Sequence, residues 1–461
     1  MSYTRSRRDF LKATTCGLAA LGLSVTIPLT WQRRLARAAT SRHLQVESVD
    51  RTTVRIPFRP APDRAMSREL PHWRYAEIFE VQLKSGHTGI GETLLYYTWG
   101  VSSDEDVKRI IGKNAVSLLW DESLGAGLHI ALFDAVGRAL DVPVHQLLGK
   151  KVHETTPLSW WNIDMPPADM AAECREAHQL GYMAYKTKGR PWYDLWEQVE
   201  RSSKEVPDNF RIDMDFNDTL LDAERAIPIC KEFERYPQID IYETPIPQGD
   251  VAGNRAICEA TRVNIALHYG SPPPSVVVRE KCADGFVIGG GTSSLFRQAS
   301  FAAEADLPFW LQLVGTGITA AFSLHCGGVL SHAIWPAVNC HQLYQYSMLT
   351  EDIVVTDGFS KVPDTPGLGY ELDRDAVAKL RVEKPTERPD PPRMLETRWP
   401  DGRIMYTGSH GQVNFILRYS ARGKTPFFEK GVTTRPFLDD GSTRWKELYE
   451  KTADGPLLLG G

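Results

Sequence analysis

The sequence predicts a parallel (β/α)8 barrel with a smaller α+β domain in front of it, and three observations carry that expectation. Past residue 150, eight short apolar runs alternate with amphipathic stretches at a unit of roughly 25 residues, as strands each followed by a helix would. No Gly-rich dinucleotide fingerprint opens any of the helical stretches, which argues against the runner-up, an open doubly wound sheet. Finally, Lys188, Asp215, Glu243 and His268 end four successive strands at steps of 27, 28 and 25 residues. Barrels carry their chemistry at the C-terminal ends of the strands, so a near-constant step sets these groups at one height around one mouth.

The first 38 residues do not read as part of the fold. In SRRDFLK, Arg7 and Arg8 precede Phe10, Leu11 and Lys12; an apolar stretch follows, and Ala36 and Ala38 form an A-x-A cleavage signal. The segment resembles a twin-arginine export signal, which implies recognition by the twin-arginine machinery and work in the periplasm or another extracytoplasmic space. Pro28 breaks the apolar stretch, which is also shorter than the roughly 20 residues a spanning helix needs. Six of the seven cysteines remain after this segment, without metal or disulfide spacing, as expected of a chain that folds in a reducing compartment. A net charge of -5 with 24% charged and 42% hydrophobic residues describes an ordinary globular protein and gives no basic footprint for nucleic acid.

Residues 39–150 form the leading domain. VESVDRTTVRIPF and YAEIFEVQLKSGHTGIGE read as strands, with Gly86 and Gly89 punctuating a hairpin. RPAPDRAMSRELPH, between them, reads as a polar loop long enough to act as a lid or specificity loop. Residues 104–148 are helical by period: Leu128, Ala131, Leu132, Ala135, Val136 and Ala139 share a face, and the pattern stops at Val142-Pro143.

Residues 151–345 hold the barrel. Strand candidates fall at PLSWWNI, YMAYKTK, FRIDMDF, IDIYETP, VNIALHY, DGFVIGG, PFWLQLV and SHAIWPA, with helices at 168–180, 192–204, 219–234 and 292–305 among the connections. On the second strand, Lys186 and Lys188 are two residues apart and share a face, so their ammonium groups repel. A solvated strand end would tolerate that pair. Acid and imidazole groups on the next three strand ends favour a shared site instead, where one lysine lowers the pKa of the other. Residues 346–380 follow the barrel, and KPTERPDPPR begins a Pro-rich linker into an extension, 381–461, in which GRIMYTGSHGQVNFILRYS reads as two strands. No role is read from the extension.

These residues resemble the enolase superfamily in its mandelate racemase and muconate-lactonizing branch. ALFDAVGRALDVPVHQLLGK is similar to the last helix of the family's capping domain, GYMAYKTKG to its Lys-x-Lys strand, IDMDFND to its Asp-x-Asn strand and IYETPIP to its Glu strand. PGLGYELDRDAV resembles the segment that returns to the capping domain. The likeness spans about residues 45 to 380 and implies a modified barrel with an N-terminal capping domain, a small-molecule carboxylate substrate and a homo-oligomer. It implies a divalent metal, Mg2+ by family, held by Asp215, Glu243 and a third ligand. Lys188 becomes the base that takes the α-proton, and Lys186 its modulator and carboxylate contact. Asn217 either orients the shell or caps its strand.

The departures are equally informative. The third ligand is normally a carboxylate; here His268 stands there, either as a ligand favouring Mn2+, Fe2+ or Zn2+ or as a satisfied polar residue. The sixth strand ends in Gly289 where a second base or its orienter is usual, and Asp284 sits at that strand's start. The seventh presents Gln312, which cannot exchange protons. His341 is left as a candidate acid or a packed loop residue. One base suits dehydration of a hydroxy or sugar acid through an enediolate; a racemase, epimerase or cycloisomerase, or a non-catalytic acid-binding relative, are the alternatives.

Overall fold

A computed structural model describes residues 41–97 and 100–460; the export segment lies outside the described residues. The leading domain is an antiparallel sheet of β1 (Val46–Arg55), β2 (Tyr75–Leu83) and β3 (Thr88–Leu94), backed by the helix Ala126–Leu140. Gly86, at φ 85°, makes the β2–β3 turn. Gly89 instead lies within β3, where a Cβ would fall 2.2 Å from Ala131 O, so its bare backbone lets the helix close on the sheet.

Two expectations for this domain are corrected. Residues expected to form a polar loop fold as the helix Pro60–Glu69 and a 3-10 turn, Pro71–Arg74. The prolines at 60, 62 and 71 all occupy opening turns, where a missing N–H costs little. The helical run from 104 to 148 is divided: Asp104–Ile110, capped by Ser103 and Asp106 in a reciprocal box, is followed by 3-10 turns, then Ala126–Leu140 and Val144–Leu148.

The barrel strands are β4 (Thr155–Trp161), β5 (Ala184–Lys188), β6 (Arg211–Asp215), β7 (Ile239–Glu243), β8 (Asn264–His268), β9 (Gly285–Ile288), β10 (Phe309–Leu311) and β11 (Ala337–Val338). They pair in parallel from β4 through β10, β11 pairs with β4, and a lone Gln312–Val338 bridge spans the last seam. The eighth strand begins later than SHAIWPA suggests. Pro336 has no N–H for the ladder, so Trp335, although its N donates to Phe309 O at 3.2 Å and its ring packs on Trp310 and against Gly285, does not extend the strand. The helices Pro167–Gln179, Leu195–Glu205, Ala223–Phe233 and Thr292–Glu304 fall where periodicity puts them.

Beyond the barrel, β12 (Phe359–Lys361) pairs antiparallel with the start of β4. The chain then reaches the leading domain: Val382 N donates to Thr53 O, and Arg138 holds Glu371 at 2.6 Å. The extension forms a second antiparallel sheet, β13 (Met394–Arg398), β14 (Ile404–Gly408), β15 (Thr433–Pro436) and β16 (Leu457–Leu459), in the order β15-β13-β14-β16. Only the first half of GRIMYTGSHGQVNFILRYS becomes a strand. The second half turns at Asn414, φ 49°, into the short helix Leu417–Ser420.

The extension is fused to the barrel. Leu395, Trp399, Met405, Phe415, Ile416 and Val432 form one core with Trp192 and Tyr193, from the loop that follows β5. Thr434 donates to Trp192 O at 2.7 Å, Gly431 N donates to Asp194 Oδ2 at 2.6 Å, and Asp194 N donates to Val432 O.

Candidate active site

Strand register assembles the charged cluster. Lys188 pairs with Asp215, and Asp215 with Glu243, so three strand ends meet side by side. Glu243 pairs with Ala266, which puts His268 on the same face one step nearer the mouth. Lys188 Nζ donates to Asp215 Oδ2 and, at 3.2 Å, to Asn217 Oδ1. Lys186 Nζ lies 2.5 Å from Glu243 Oε2, and His268 Nε2 lies 2.9 Å from Glu243 Oε1. Asp215, Glu243 and Lys186 are at most 2% exposed.

Burial and charge act differently on each group. Burial lowers Lys188, Asp215 raises it, Lys186 lowers it again, and the net shift is downward, toward the neutral amine a base requires. Burial also opposes the charge on Lys186, but Glu243 and Asp215 outweigh it and hold this ammonium protonated. Burial pushes Glu243 up, while Lys186 and His268 bring it below the ordinary carboxylate range. For His268 burial is outweighed by the Glu243 contact, and its pKa is raised.

Asn217 works locally. Its backbone N donates to Asp215 Oδ1 at 2.8 Å, and its Oδ1 also accepts from Arg190 Nη2 at 2.7 Å. It thus steadies the base and a third cation.

Lys186, Lys188, Arg190, Asp215, Asn217 and His268 line a cavity of about 330 Å3. Its remaining walls include Trp73, Tyr97, Trp161, Val314 and Leu417. Gln312 also lines it, donating to Tyr97 Oη at 3.3 Å. Gly289 offers no chemistry and leaves no room for any, since a Cβ there would meet Gln312 O at 2.8 Å. Asp284 is spent elsewhere, accepting from Ile265 N. His341 is a correction to the candidate-acid reading: it lies outside the cavity lining, half-buried with its Nε2 3.0 Å from Tyr182 Oη, because the chain turns away through Cys340 at φ 59°.

The cavity also holds residues that sequence reasoning missed. Arg190 lines it two residues past Lys188, and continuing the alternation that marks the lysines reaches it. His72 lines the cavity from the 3-10 turn, with burial, Arg388 and Arg393 pushing it down to about 4. Nothing local marks it in the sequence.

The donors suit a divalent cation in kind. Both Glu243 oxygens are buried and accept no well-aligned hydrogen bond, Asp215 adjoins them, and His268 adds an imidazole. Among the described residues, no three His, Cys, Asp or Glu side chains close into a tight shell. Lys186 lies against the carboxylates instead.

The family model described as "Enolase C-terminal domain-like" matches residues 169–376 and ends before the extension. A chloromuconate cycloisomerase, CbnB of Cupriavidus necator, is 26% identical over 72% of this chain and 98% of its own length. A D-galactonate dehydratase of Pectobacterium atrosepticum is 25% identical over 60% of this chain and 78% of its own. The crystal structure of a muconate cycloisomerase from Pseudomonas fluorescens superposes with a TM-score of 0.60 at 23% identity, covering 74% of this chain and 99% of that one, which establishes the shared fold.

Proposed function

We propose that this chain, a member of the enolase superfamily in its mandelate racemase and muconate-lactonizing branch, dehydrates a hydroxy acid through its enediolate. One observation carries the choice of reaction: among the barrel strand ends Lys188 is the base, while the facing ends present Gly289 and Gln312. Neutral Lys188 takes the α-proton, and the C–H electron pair moves into the carboxylate. The Cβ–O bond then breaks, and the Lys188 ammonium gives its proton to the departing hydroxide on the same side. Water leaves and the lysine returns to its neutral form; with a second hydroxyl on the α-carbon, as in a sugar acid, the product is an enol that tautomerises to a keto acid. Acid–base assistance of this kind contributes typically about 10²–10⁴-fold.

The dianionic intermediate needs positive charge around it. Lys186, held protonated, and Arg190 supply fixed cations and orient the substrate carboxylate. A divalent metal, when bound, adds Lewis-acid neutralisation; Asp215, Glu243 and His268 would hold it, with Mg2+ the ion usual in the family and Mn2+, Fe2+ or Zn2+ suited to the imidazole. The dehydratase among the relatives supports elimination. The SRRDFLK segment and its A-x-A signal support export by the twin-arginine route and action in the periplasm.

Incubating a library of hydroxy and sugar acids in D2O tests the reaction. Lys188→Ala should abolish both α-deuterium uptake and keto-acid formation, while Gln312→Ala should spare the exchange. Interconversion of α-epimers at the exchange rate, without keto acid, would replace dehydration by racemisation.

A further inference from the structure

We infer that the C-terminal extension is a wall of the active site and selects substrates by what lies beyond the carboxylate, favouring acids with an apolar body over polyhydroxylated ones. The inference rests on the carboxylate site proposed above and adds what that site accepts. Val413, Asn414 and Leu417 line the same cavity as Lys186, Lys188 and Asp215. Between them, Phe415 and Ile416 are fully buried in the core that the extension shares with Trp192 and Tyr193. The chain therefore presents one set of residues to the cavity while the next pair anchors it. Asn414, at φ 49°, makes that reversal; asparagine enters the left-handed region more readily than most residues.

Position is the second strand of the inference. Trp192 and Tyr193 belong to the loop that leaves β5, the strand carrying both lysines, and β15 and the residues before it clamp this loop through Trp192 O and Asp194. Wall and base are thus fixed by one core, so the distance from Lys188 to Leu417 is set by packing and not by a mobile loop.

The chemistry of the lining gives the substrate class. Opposite the extension the leading domain contributes Trp73 and Tyr97, with ring centroids 4.4 Å apart, and Trp73 stacks on Trp161 at 5.6 Å. Of the neutral amides in the lining, Asn217 Oδ1 already accepts from Lys188 and Arg190 and Gln312 Nε2 donates to Tyr97, which leaves Asn414 and Gln312 Oε1 to meet a hydroxyl group. A polyol chain entering here would lose water at every hydroxyl and regain partners for only a few of them, which is costly for each hydroxyl left over. An aliphatic or aromatic body would lose none.

Three enediolate-like probes separate the possibilities on the full-length protein: oxalate, which has no body; N-benzyl oxamate, with an apolar one; and N-(2,3-dihydroxypropyl) oxamate, with a hydroxylated one. Calorimetric titration should show wild type preferring the benzyl over the dihydroxypropyl compound by about tenfold or more, the scale of discrimination that pocket contacts give. Leu417→Trp should weaken N-benzyl oxamate by about tenfold while leaving oxalate within about twofold. Should that variant not fold, Val413→Trp reads the same ratio from the neighbouring position. Wild type that binds oxalate but does not prefer the benzyl compound, or wall variants that leave the ratio unchanged, would overturn the wall alone. Wild type that binds none of the three would overturn the carboxylate site and this inference with it.

Discussion

Lys186 Nζ lies 2.5 Å from Glu243 Oε2 and 3.9 Å from Asp215 Oδ2, with the face of Trp310 5.3 Å away. Lys188, on the same face of the same strand, shares Asp215 but lies farther along toward Asn217 and Arg190. Two lysines two residues apart consequently have opposite fates. The inner one is locked as a cation by two carboxylates, and the outer one is pushed toward the neutral amine. That division is what a base beside a fixed counter-charge requires.

The first prediction concerns pH. A basic lysine acts when deprotonated, so kcat/KM should rise with pH along a limb set by Lys188, below the ordinary lysine range because its pKa is lowered. Lys186→Met removes a positive neighbour and frees the negative field of Glu243 and Asp215. Both changes favour protonated Lys188, so the limb should move to higher pH. A pH–rate profile of the variant whose limb stays in place or moves down would contradict the coupling.

Metal binding gives the second. Protein purified without chelator should carry a divalent ion that Asp215→Ala and Glu243→Ala each reduce, as measured by elemental analysis. Equal content in all three proteins would remove the site. His268→Glu restores an all-oxygen set and should move the preference toward Mg2+.

Much of this arrangement is legible in the sequence because strand ends repeat at a fixed interval, and a fixed interval survives any uncertainty about helix boundaries. Lys186, Lys188, Asp215, Glu243 and His268 meet for that reason. What stays hidden depends on long-range contact. His72 and Tyr97 reach the cavity only because the leading domain folds over the barrel, and Leu417 only because Phe415 and Ile416 find Trp192, which lies more than two hundred residues earlier. The helix at Pro60–Glu69 is hidden for a different reason. Its Pro and charged residues look like a loop, yet Arg68 and Glu69 are buried in ion pairs that periodicity cannot anticipate.

Export is the third prediction. Substituting Arg7 and Arg8 by lysine should leave the protein in the cytoplasm, whereas the wild-type chain should appear in the periplasmic fraction shortened to begin near residue 39. Mass spectrometry of the two fractions decides it; a full-length cytoplasmic product from the wild-type gene would refute the signal.

The last prediction separates the extension's two roles, packing and placement, using two tryptophans of one core. Trp399 belongs to the extension and its Nε1 donates to Glu429 at 2.9 Å, away from the cavity lining. Trp192 sits in the same core, but its Nε1 donates to Asp164 Oδ2 at 2.8 Å and its ring lies 5.5 Å from the Arg190 guanidinium. Replacing either by alanine removes a large buried ring, which typically costs about 3–5 kcal/mol. Urea denaturation should therefore show both variants destabilised by similar amounts. Only Trp192→Ala also loosens Arg190, a cation of the carboxylate end, so it should raise KM for oxalate-sized acids more than Trp399→Ala does, measured well below the unfolding transition. Equal KM effects in the two variants would mean that the shared core, and not the contact with Arg190, governs substrate binding.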